Sequence, residues 1–234
     1  MFLVTSIINY FIFIVGVKKV IVPIKNNYVS DYNYLYFKQI YNLFMSFMSS
    51  YLFYSGLNVY NEVKLLTNSE NVLTNIYSPL KIETESFKYL LPIIIISKYL
   101  EWIDTALIIL DGKNPGLLHL FHHANIVGGF YYGCYTSSYF VTGFLNSFVH
   151  IIMYLYYSKI FPNINKRVAK NITQLQIVQL GLITLFSAKG LISPIDMYDF
   201  YVTIYIEICV IINLGLFINY YKDRYINKLK INKK

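Results

Sequence analysis

All four histidines of the chain lie in two short stretches. His119, His122 and His123 follow the i, i+3, i+4 spacing that gathers side chains on one face of a helix. His150 lies further along the chain. Because an imidazole can serve as a general acid, a general base, a nucleophile or a metal ligand, this clustering predicts a catalytic site or a metal site.

Other polar side chains accompany the histidines at helical spacing. They recur at intervals of three or four residues: Lys98, Glu101, Asp104 and Thr105 in one segment, Asn146, Tyr154 and Tyr157 around His150, and Thr173, Gln176 and Gln179 in a third segment. Each set therefore forms a polar stripe along one face of its predicted helix.

The surrounding sequence is far more apolar than that of a soluble domain. Of its 234 residues, 56% are hydrophobic and 14% are charged, against roughly 45–50% and about 25% in soluble proteins. One globule cannot bury this excess. The composition excludes a disordered chain, a small disulfide-rich protein and an ordinary nucleic-acid-binding domain. We predict an all-α, polytopic membrane protein whose single domain covers residues 1–234.

The apolar segments that could cross a membrane number about seven. A helix needs about 20 mainly apolar residues to span the hydrocarbon core. The candidates are Met1 to Val17, Tyr41 to Leu57, Tyr89 to Leu110, Leu117 to Tyr135, Tyr139 to Ile160, Ile172 to Ala188 and Phe200 to Tyr220. We therefore predict a bundle or barrel of about seven transmembrane helices.

Basic residues between these segments predict the orientation. Lys18, Lys19, Lys25 and Lys38 follow the first segment, and another basic cluster follows the fifth. Under the positive-inside rule both regions face the cytosol, with the N-terminus lumenal and the C-terminus cytosolic. Most polar stripe residues then lie within about ten residues, or about 15 Å, of the cytosolic face. Four helices thus bring polar groups to one layer.

Four motifs in this region resemble, in order, the signature motifs of the ELO family of very-long-chain fatty acid elongases. They are Lys98-Tyr-Leu-Glu101-Trp-Ile-Asp104-Thr105, His119-Leu-Phe-His122-His123, His150-Ile-Ile-Met153-Tyr154-Leu-Tyr156-Tyr157 and Thr173-Gln-Leu-Gln176-Ile-Val-Gln179. The resemblance covers about residues 89 to 180, and the seven-segment pattern agrees with it. It implies that the transmembrane bundle or barrel surrounds an acyl-chain tunnel.

The resemblance implies a reaction. Members of this family condense a long-chain acyl-CoA with malonyl-CoA, which gives a 3-oxoacyl-CoA, carbon dioxide and CoA. An acyl-imidazole intermediate is proposed for the family, and we expect His122 to be the nucleophile. His119, His123 and His150 would orient it, move a proton or stabilise an enolate. Glu101 and Asp104 would fix imidazole tautomers by accepting N–H bonds.

The same resemblance implies a set of substrate-binding residues. Neutral or charged hydrogen-bonding groups would come from Lys98, Asn146, Tyr154, Tyr157, Gln176 and Gln179, and CoA phosphates would meet Lys166, Arg167 and Lys170. For Lys98, pairing with Glu101 or Asp104 is an equally good explanation. No cofactor is expected beyond the two CoA substrates.

The expected setting also follows from the resemblance. It implies a multi-pass protein of the endoplasmic reticulum membrane that contacts membrane lipid and works with the ketoreductase, dehydratase and enoyl reductase of the elongation cycle. No nucleic acid partner is expected, and a homodimer is compatible with this interpretation.

Two alternatives remain open at the level of sequence. The polar layer could hold a lipid headgroup in a binding or transport protein without turnover. The histidines could instead form a buried structural network or serve a metal-dependent lipid-modifying enzyme. A di-iron centre of the membrane desaturase kind needs about eight histidines, whereas this chain has four. That difference disfavours the di-iron form.

Overall fold

A computed structural model describes residues 2–71, 84–133, 136, 139–161, 167–192 and 196–227. Within these ranges the chain is helical and contains no strand. The α-helices are α1 (Phe2–Gly16), α2 (Val22–Tyr28), α3 (Asp31–Thr67), α4 (Glu85–Leu100), α5 (Trp102–Leu110), α6 (Leu117–Gly133), α7 (Tyr139–Tyr157), α8 (Arg167–Ile192) and α9 (Met197–Tyr221). The all-α prediction is confirmed.

Short junctions join some of these helices into longer rods. The π-helical turn Val17–Ile21 connects α1 to α2, and Glu101 alone separates α4 from α5. A second π-helical segment, Lys222–Asn227, extends α9. Over the described residues this leaves seven rods, and each of the seven predicted apolar segments falls on one of them.

Side-chain caps define several helix starts. The Ser30 hydroxyl accepts a hydrogen bond from the Asn33 backbone N–H at the start of α3. Thr84 caps α4 in the same way, and Asp196 caps α9. Such caps satisfy backbone N–H groups that have no partner within the helix, and each typically contributes about 1 kcal/mol.

The helices at the N-terminal end are longer than hydropathy predicts. Lys18 and Lys19 lie in a π-helical turn, not in a loop, and only Val29 and Ser30 separate α2 from α3. The 37 residues of α3 correspond to about 55 Å, which exceeds a hydrocarbon core of about 30 Å. Hydropathy marks where a chain becomes polar, whereas the backbone can continue its helix through polar residues.

Three helical stretches of the described chain are long and apolar enough to cross a membrane: Val4–Tyr28, Tyr139–Tyr157 and Met197–Asn227. The chain is an all-α polytopic membrane protein. The four other predicted segments carry more polar side chains, and their crossing of the membrane stays a prediction.

The helices pack against one another through separate apolar clusters. The long helix α3 packs on both α4 and α7, α8 packs on α7 and α9, and α1 packs on α6. One cluster joins α3, α4, α6 and α7, a second joins α1, α5 and α6, and a third joins α8 and α9. These contacts fix the positions of the helices that carry the polar stripes.

An ion pair fixes the start of α3 to the end of α5. The Lys38 Nζ lies 2.8 Å from both carboxylate oxygens of Asp111, and the Tyr34 hydroxyl donates to one of them at 2.9 Å. Burial alone would raise the pKa of the Asp111 carboxyl, but hydrogen bonds from Lys38 and Tyr34, with the Lys38 charge, lower that pKa below its usual value. This contact stabilises the folded state when Asp111 is ionised.

Replacing Lys38 by Met should lower the free energy of unfolding at neutral pH by about 0.2–1 kcal/mol. Because the folded-state pKa of Asp111 is depressed, its contribution is present above the unfolded-state pKa of about 3.9 and is lost as the pH falls through the folded value. Thermal unfolding in detergent, followed at about pH 7 and about pH 3, should show the difference shrinking in acid. Lys19→Met, at an exposed lysine, is the control, and an equal difference at both pH values would contradict the assignment.

Candidate active site

Two buried charges lie at the junction between α4 and α5. The Lys98 Nζ donates to Glu101 Oε1 at 2.7 Å, and the side chains are only 3% and 2% exposed. Lys98 also donates to the Asn146 amide oxygen on α7. The His150 Nδ1 lies 3.2 Å from the same Glu101 oxygen, and the Asn146 Nδ2 lies 3.2 Å from His150 Nε2. These four side chains form a closed hydrogen-bonded ring, which we call the polar ring.

The chemistry of Lys98 fixes every donor in the polar ring. An ammonium group can only donate, so the Asn146 atom that faces it must be the carbonyl oxygen. The Asn146 NH₂ group then faces His150 Nε2, which must accept. It follows that His150 carries its proton on Nδ1 and donates it to Glu101. The ring therefore holds a neutral imidazole in one tautomer.

The second carboxylate of the stripe has different partners. The Tyr41 hydroxyl donates to Asp104 Oδ1 at 2.9 Å, and the Tyr154 hydroxyl donates to Oδ2 at 2.6 Å. The expectation that Asp104 orients an imidazole is therefore not met, because both of its oxygens accept from phenols. Tyr154 packs edge-on against the His150 ring, with centroids 5.4 Å apart. Asp104 thus positions the rings of Tyr41 and Tyr154, and the Tyr154 ring lies against the polar ring at His150.

The histidines of α6 have unequal surroundings. The His119 Nε2 lies 2.9 Å from the Thr105 hydroxyl of α5, which also lies 2.9 Å from the Tyr10 hydroxyl of α1. His123 is buried, and its ring stacks against those of His119 and Tyr10. His122 contacts His123 edge-on and has no hydrogen bond to the described residues.

A cavity lies among α6, α7, α8 and α9. Its wall is mostly apolar, with Phe130 and Ile183 among its residues. The polar side chains that line it include His122, Asn146 and Gln179. Of the four histidines, all of them in the described chain, His122 alone lines this cavity. Asn146 lies both in the polar ring and in the cavity wall, so it connects the two.

A known protein family matches almost the whole chain. The sequence model of the ELO family, described as the GNS1/SUR4 family, matches residues 1–233. The chain belongs to the ELO family.

Relatives named as elongases match parts of this ELO chain. A rat protein named very long chain fatty acid elongase 5 is 30% identical over 200 residues, which are 81% of this chain and 64% of the relative. A mouse protein named very long chain fatty acid elongase 2 is 31% identical over 142 residues, 56% of this chain and 48% of the relative. Fatty acid elongase 2 of Trypanosoma brucei brucei is 35% identical over 108 residues, 42% and 40% of the two chains. The matches thus cover less than two thirds of these relatives.

Of three other predicted substrate-binding residues of this ELO chain, one lines the cavity and two do not. Gln179 lines it, whereas Gln176 donates to the sulfur of Met153 at 3.4 Å. Tyr157 is 52% exposed and packs on Tyr156, so it does not share the buried His150 surface as expected.

The predicted phosphate-binding residues lie at the start of α8. Arg167 is its first residue and is exposed. The Lys170 Nζ lies 5.8 Å from the centre of the Tyr221 ring on α9. Lys166 lies outside the described residues.

Two residues of the candidate site have no signal in the sequence. Tyr10 contacts Thr105 across 95 positions and Tyr41 contacts Asp104 across 63. Each lies in an apolar stretch where a tyrosine is an ordinary membrane residue, and no local spacing relates it to the motifs. Among the described residues, no three His, Cys, Asp or Glu side chains converge as the ligands of a metal ion would.

The buried pair in the polar ring should behave as one unit. Lys98→Met and Glu101→Gln each leave a group without its main partner and should cost about 3–5 kcal/mol of stability, whereas the double variant should cost clearly less than their sum. Unfolding by heat and by denaturant in detergent measures this coupling.

The exposed pair Glu85 and Lys88 is the matched control for this cycle. It has the same three-residue separation, with an N–O distance of 3.2 Å, but its side chains are 71% and 52% exposed. Lys88→Met should therefore have almost no effect. Additive losses at Lys98 and Glu101 would contradict a coupled buried pair.

Proposed function

We propose that this chain is a fatty acid elongase that condenses a long-chain acyl-CoA with malonyl-CoA to a 3-oxoacyl-CoA, carbon dioxide and CoA. The observation that carries the proposal is the placement of His122. It lines a largely apolar cavity, and no hydrogen bond to the described residues engages its ring nitrogens. Membership of the ELO family and the names of the relatives support the same activity.

In the proposed first step a neutral His122 nitrogen attacks the thioester carbonyl of the acyl-CoA. The C–S bond breaks, CoA leaves as a thiolate that takes up the proton lost from the other ring nitrogen, and the acyl group stays on the imidazole. In the second step malonyl-CoA loses carbon dioxide, and the resulting enolate attacks the acyl carbon. The C–N bond to His122 then breaks as the imidazole takes up a proton from water, which releases the 3-oxoacyl-CoA and restores the neutral imidazole.

The polar ring supports this chemistry from behind the cavity wall. Asn146 lines the cavity and is held by Lys98 and His150, so its position is fixed before a substrate binds. Gln179 adds a second amide on the facing helix. Both can hydrogen-bond to the thioester or enolate oxygens. The His123 ring packs edge-on against the His122 ring, His119 packs against His123, and Glu101 fixes the tautomer of His150.

The apolar part of the cavity suits a hydrocarbon chain. Aliphatic and aromatic side chains of α6, α8 and α9 form most of its wall. At the start of α8, Arg167 and Lys170, with Lys166 beside them in sequence, are proposed contacts for CoA phosphates. We also propose the endoplasmic reticulum membrane as the location, with the cytosolic ends of α7 and α8 near the CoA and with the other enzymes of the elongation cycle as partners.

Incubating the purified protein with a long-chain acyl-CoA should leave an acyl group on His122. Intact-mass and peptide mass spectrometry should locate this adduct, because an acyl-imidazole is a covalent intermediate. His122→Ala should lack it. Adding malonyl-CoA should discharge the adduct as a 3-oxoacyl-CoA and release carbon dioxide.

Tyr201→Phe, on the exposed side of α9, serves as the control and should form and discharge the adduct like the unmodified chain. Condensation without any adduct would disprove the acyl-imidazole step and leave the elongase activity standing. Binding of acyl-CoA with neither adduct nor carbon dioxide release would overturn the elongase proposal in favour of a lipid-binding protein.

Filling the cavity should shorten the products. Gly129 lines the cavity, and a Cβ added there meets no heavy atom within 4 Å. Gly129→Phe should therefore occupy space used by the acyl chain. Excluding two or three methylenes at about 0.8 kcal/mol each predicts a loss of roughly ten- to hundredfold in kcat/KM for the longest accepted acyl-CoA. Shorter acyl-CoAs should be affected little.

Gly181→Phe is the matched control, because Gly181 also has open space at its Cβ but does not line the cavity. Chromatography of the products from acyl-CoAs of graded length compares the two variants. An equal loss at every chain length in Gly129→Phe would show that this cavity does not hold the acyl chain.

A further inference from the structure

Asn213 of α9 holds a buried oxygen that has no hydrogen-bond partner among the described residues. Its side chain is 6% exposed. The Asn213 Nδ2 donates to the backbone carbonyl of Cys209, one turn earlier in the helix, at 3.0 Å. Because two carbonyl oxygens cannot bond to each other, this contact fixes the orientation of the amide. Oδ1 is therefore an acceptor that is held in place and left unpaired, which is costly unless a bound molecule supplies a donor.

This unpaired oxygen belongs to the wall of the cavity, at the same end as His122. Of the described residues that line the cavity, Asn213 is the one nearest the C-terminal end of α9. His122 is the one nearest the N-terminal end of α6. If α6 and α9 run antiparallel, both side chains lie toward one end of the cavity.

Two hydrogen bonds give the register of α6 and α9. They lie seven residues apart on both helices: Tyr205 donates to the Asn125 amide oxygen at 3.1 Å, and Tyr198 donates to the Tyr132 carbonyl at 3.3 Å. The helices are thus antiparallel, and Ile208 lies level with His122. Asn213 lies five residues, or about 7.5 Å, further toward the C-terminal end of α9. Each side chain tilts toward the N-terminus of its own helix, which brings the two closer than that.

The same end of the cavity faces the start of α8. Gln174 of α8 donates to the Tyr221 hydroxyl at the end of α9 at 3.0 Å, and Lys170 lies over the Tyr221 ring. Lys170, a proposed contact for CoA phosphates, therefore lies beyond Asn213 on this side. A CoA thioester whose carbonyl carbon meets His122 then runs past Asn213 toward the phosphates.

The part of CoA between the thioester and the phosphates is pantetheine, which carries amide N–H groups. The nearer amide nitrogen is four bonds from the thioester carbon, or about 6 Å of contour at about 1.5 Å per bond. This length matches the offset between His122 and Asn213. The hydrocarbon chain on the other side of the thioester has no hydrogen-bond donor. The unpaired oxygen therefore suits a donor that acyl-CoA and malonyl-CoA carry at the same place.

We propose that Asn213 is a substrate-binding residue whose Oδ1 accepts a hydrogen bond from the pantetheine amide nearest the thioester. This bond holds the thioester carbonyl beside His122. It makes the cavity selective for thioesters that carry an N–H group two carbons from the sulfur. The identity of the substrate rests on the proposed condensation, whereas recognition of the amide is measured by binding alone.

Two small thioesters that differ in one position test this hydrogen bond. One is the N-acetylcysteamine thioester of a long acyl chain, which carries the amide of pantetheine. The other is the 2-acetoxyethyl thioester of the same chain, in which an ester oxygen replaces the N–H. Calorimetry measures their binding to the full chain in detergent, and mass spectrometry measures acylation of His122. The amide should bind about tenfold more tightly, which corresponds to about 1.4 kcal/mol.

Asn213→Leu removes the acceptor and keeps nearly the same volume. It should bind both thioesters equally, and about as weakly as the unmodified chain binds the ester. Without ligand its melting temperature should be unchanged or higher, because the lost oxygen had no partner in the described chain. Comparing the affinity ratios of the two chains cancels any other difference between the thioesters.

Asn219→Leu is the matched control. It is the same substitution on the same helix, at an exposed position that does not line the cavity. This variant should keep the tenfold preference for the amide and the affinity of the unmodified chain.

The outcomes separate the two proposals. Equal binding of the two thioesters to the unmodified chain, or no binding of either, overturns the role of Asn213, whether or not Asn213→Leu folds. A preference that persists in Asn213→Leu also overturns it, since another group then recognises the amide. If the thioesters bind but neither acylates His122 nor condenses with malonyl-CoA, the proposed function fails, and the affinity ratio still decides the role of Asn213.

Discussion

The buried Lys98 and Glu101 charges impose the constraint on which the rest of the site depends. Two ions that are almost wholly removed from water are tolerated only when further hydrogen bonds satisfy them. Asn146 of α7 accepts from Lys98, and His150 of α7 lies against Glu101 Oε1, while Glu101 Oε2 has no hydrogen-bond partner among the described residues. Helices α4 and α7 must therefore keep a fixed register, and α3 packs on both. The apolar cluster along α3 holds α4 and α7 in place, and so maintains the register that the polar ring requires.

Helical periodicity predicted which residues share a face but not which of them meet. Glu101 and Asp104 lie on one stripe of the sequence, and either could have accepted a bond from an imidazole. The crossing of α3 and α7 over that stripe decides the matter, because it places two tyrosines against Asp104 and His150 against Glu101. Side-chain spacing within one helix carries no information about the register of its neighbours.

Hydropathy located all seven rods and was wrong about several of their ends. The first predicted loop is helical because lysine and tyrosine do not interrupt a helix, and Pro23 lies in the first turn of α2, where proline is tolerated. Hydropathy also gave no reason to select Tyr10, because a single tyrosine in an apolar segment is common in membrane proteins. Its hydrogen bond joins it to a residue 95 positions away, which periodicity cannot reach.

The structure makes four chemically identical side chains different. Their spacing alone would let any histidine of α6 act as a nucleophile. His119 is engaged by Thr105, His123 is buried beneath Tyr10, and His150 is fixed in the polar ring. Only His122 combines a wall position in the cavity with ring nitrogens that have no hydrogen bond to the described residues. An imidazole that must form and release an acyl bond needs a free nitrogen that a substrate can reach, so the hydrogen bonds of His119 and His150 and the burial of His123 matter as much as the freedom of His122.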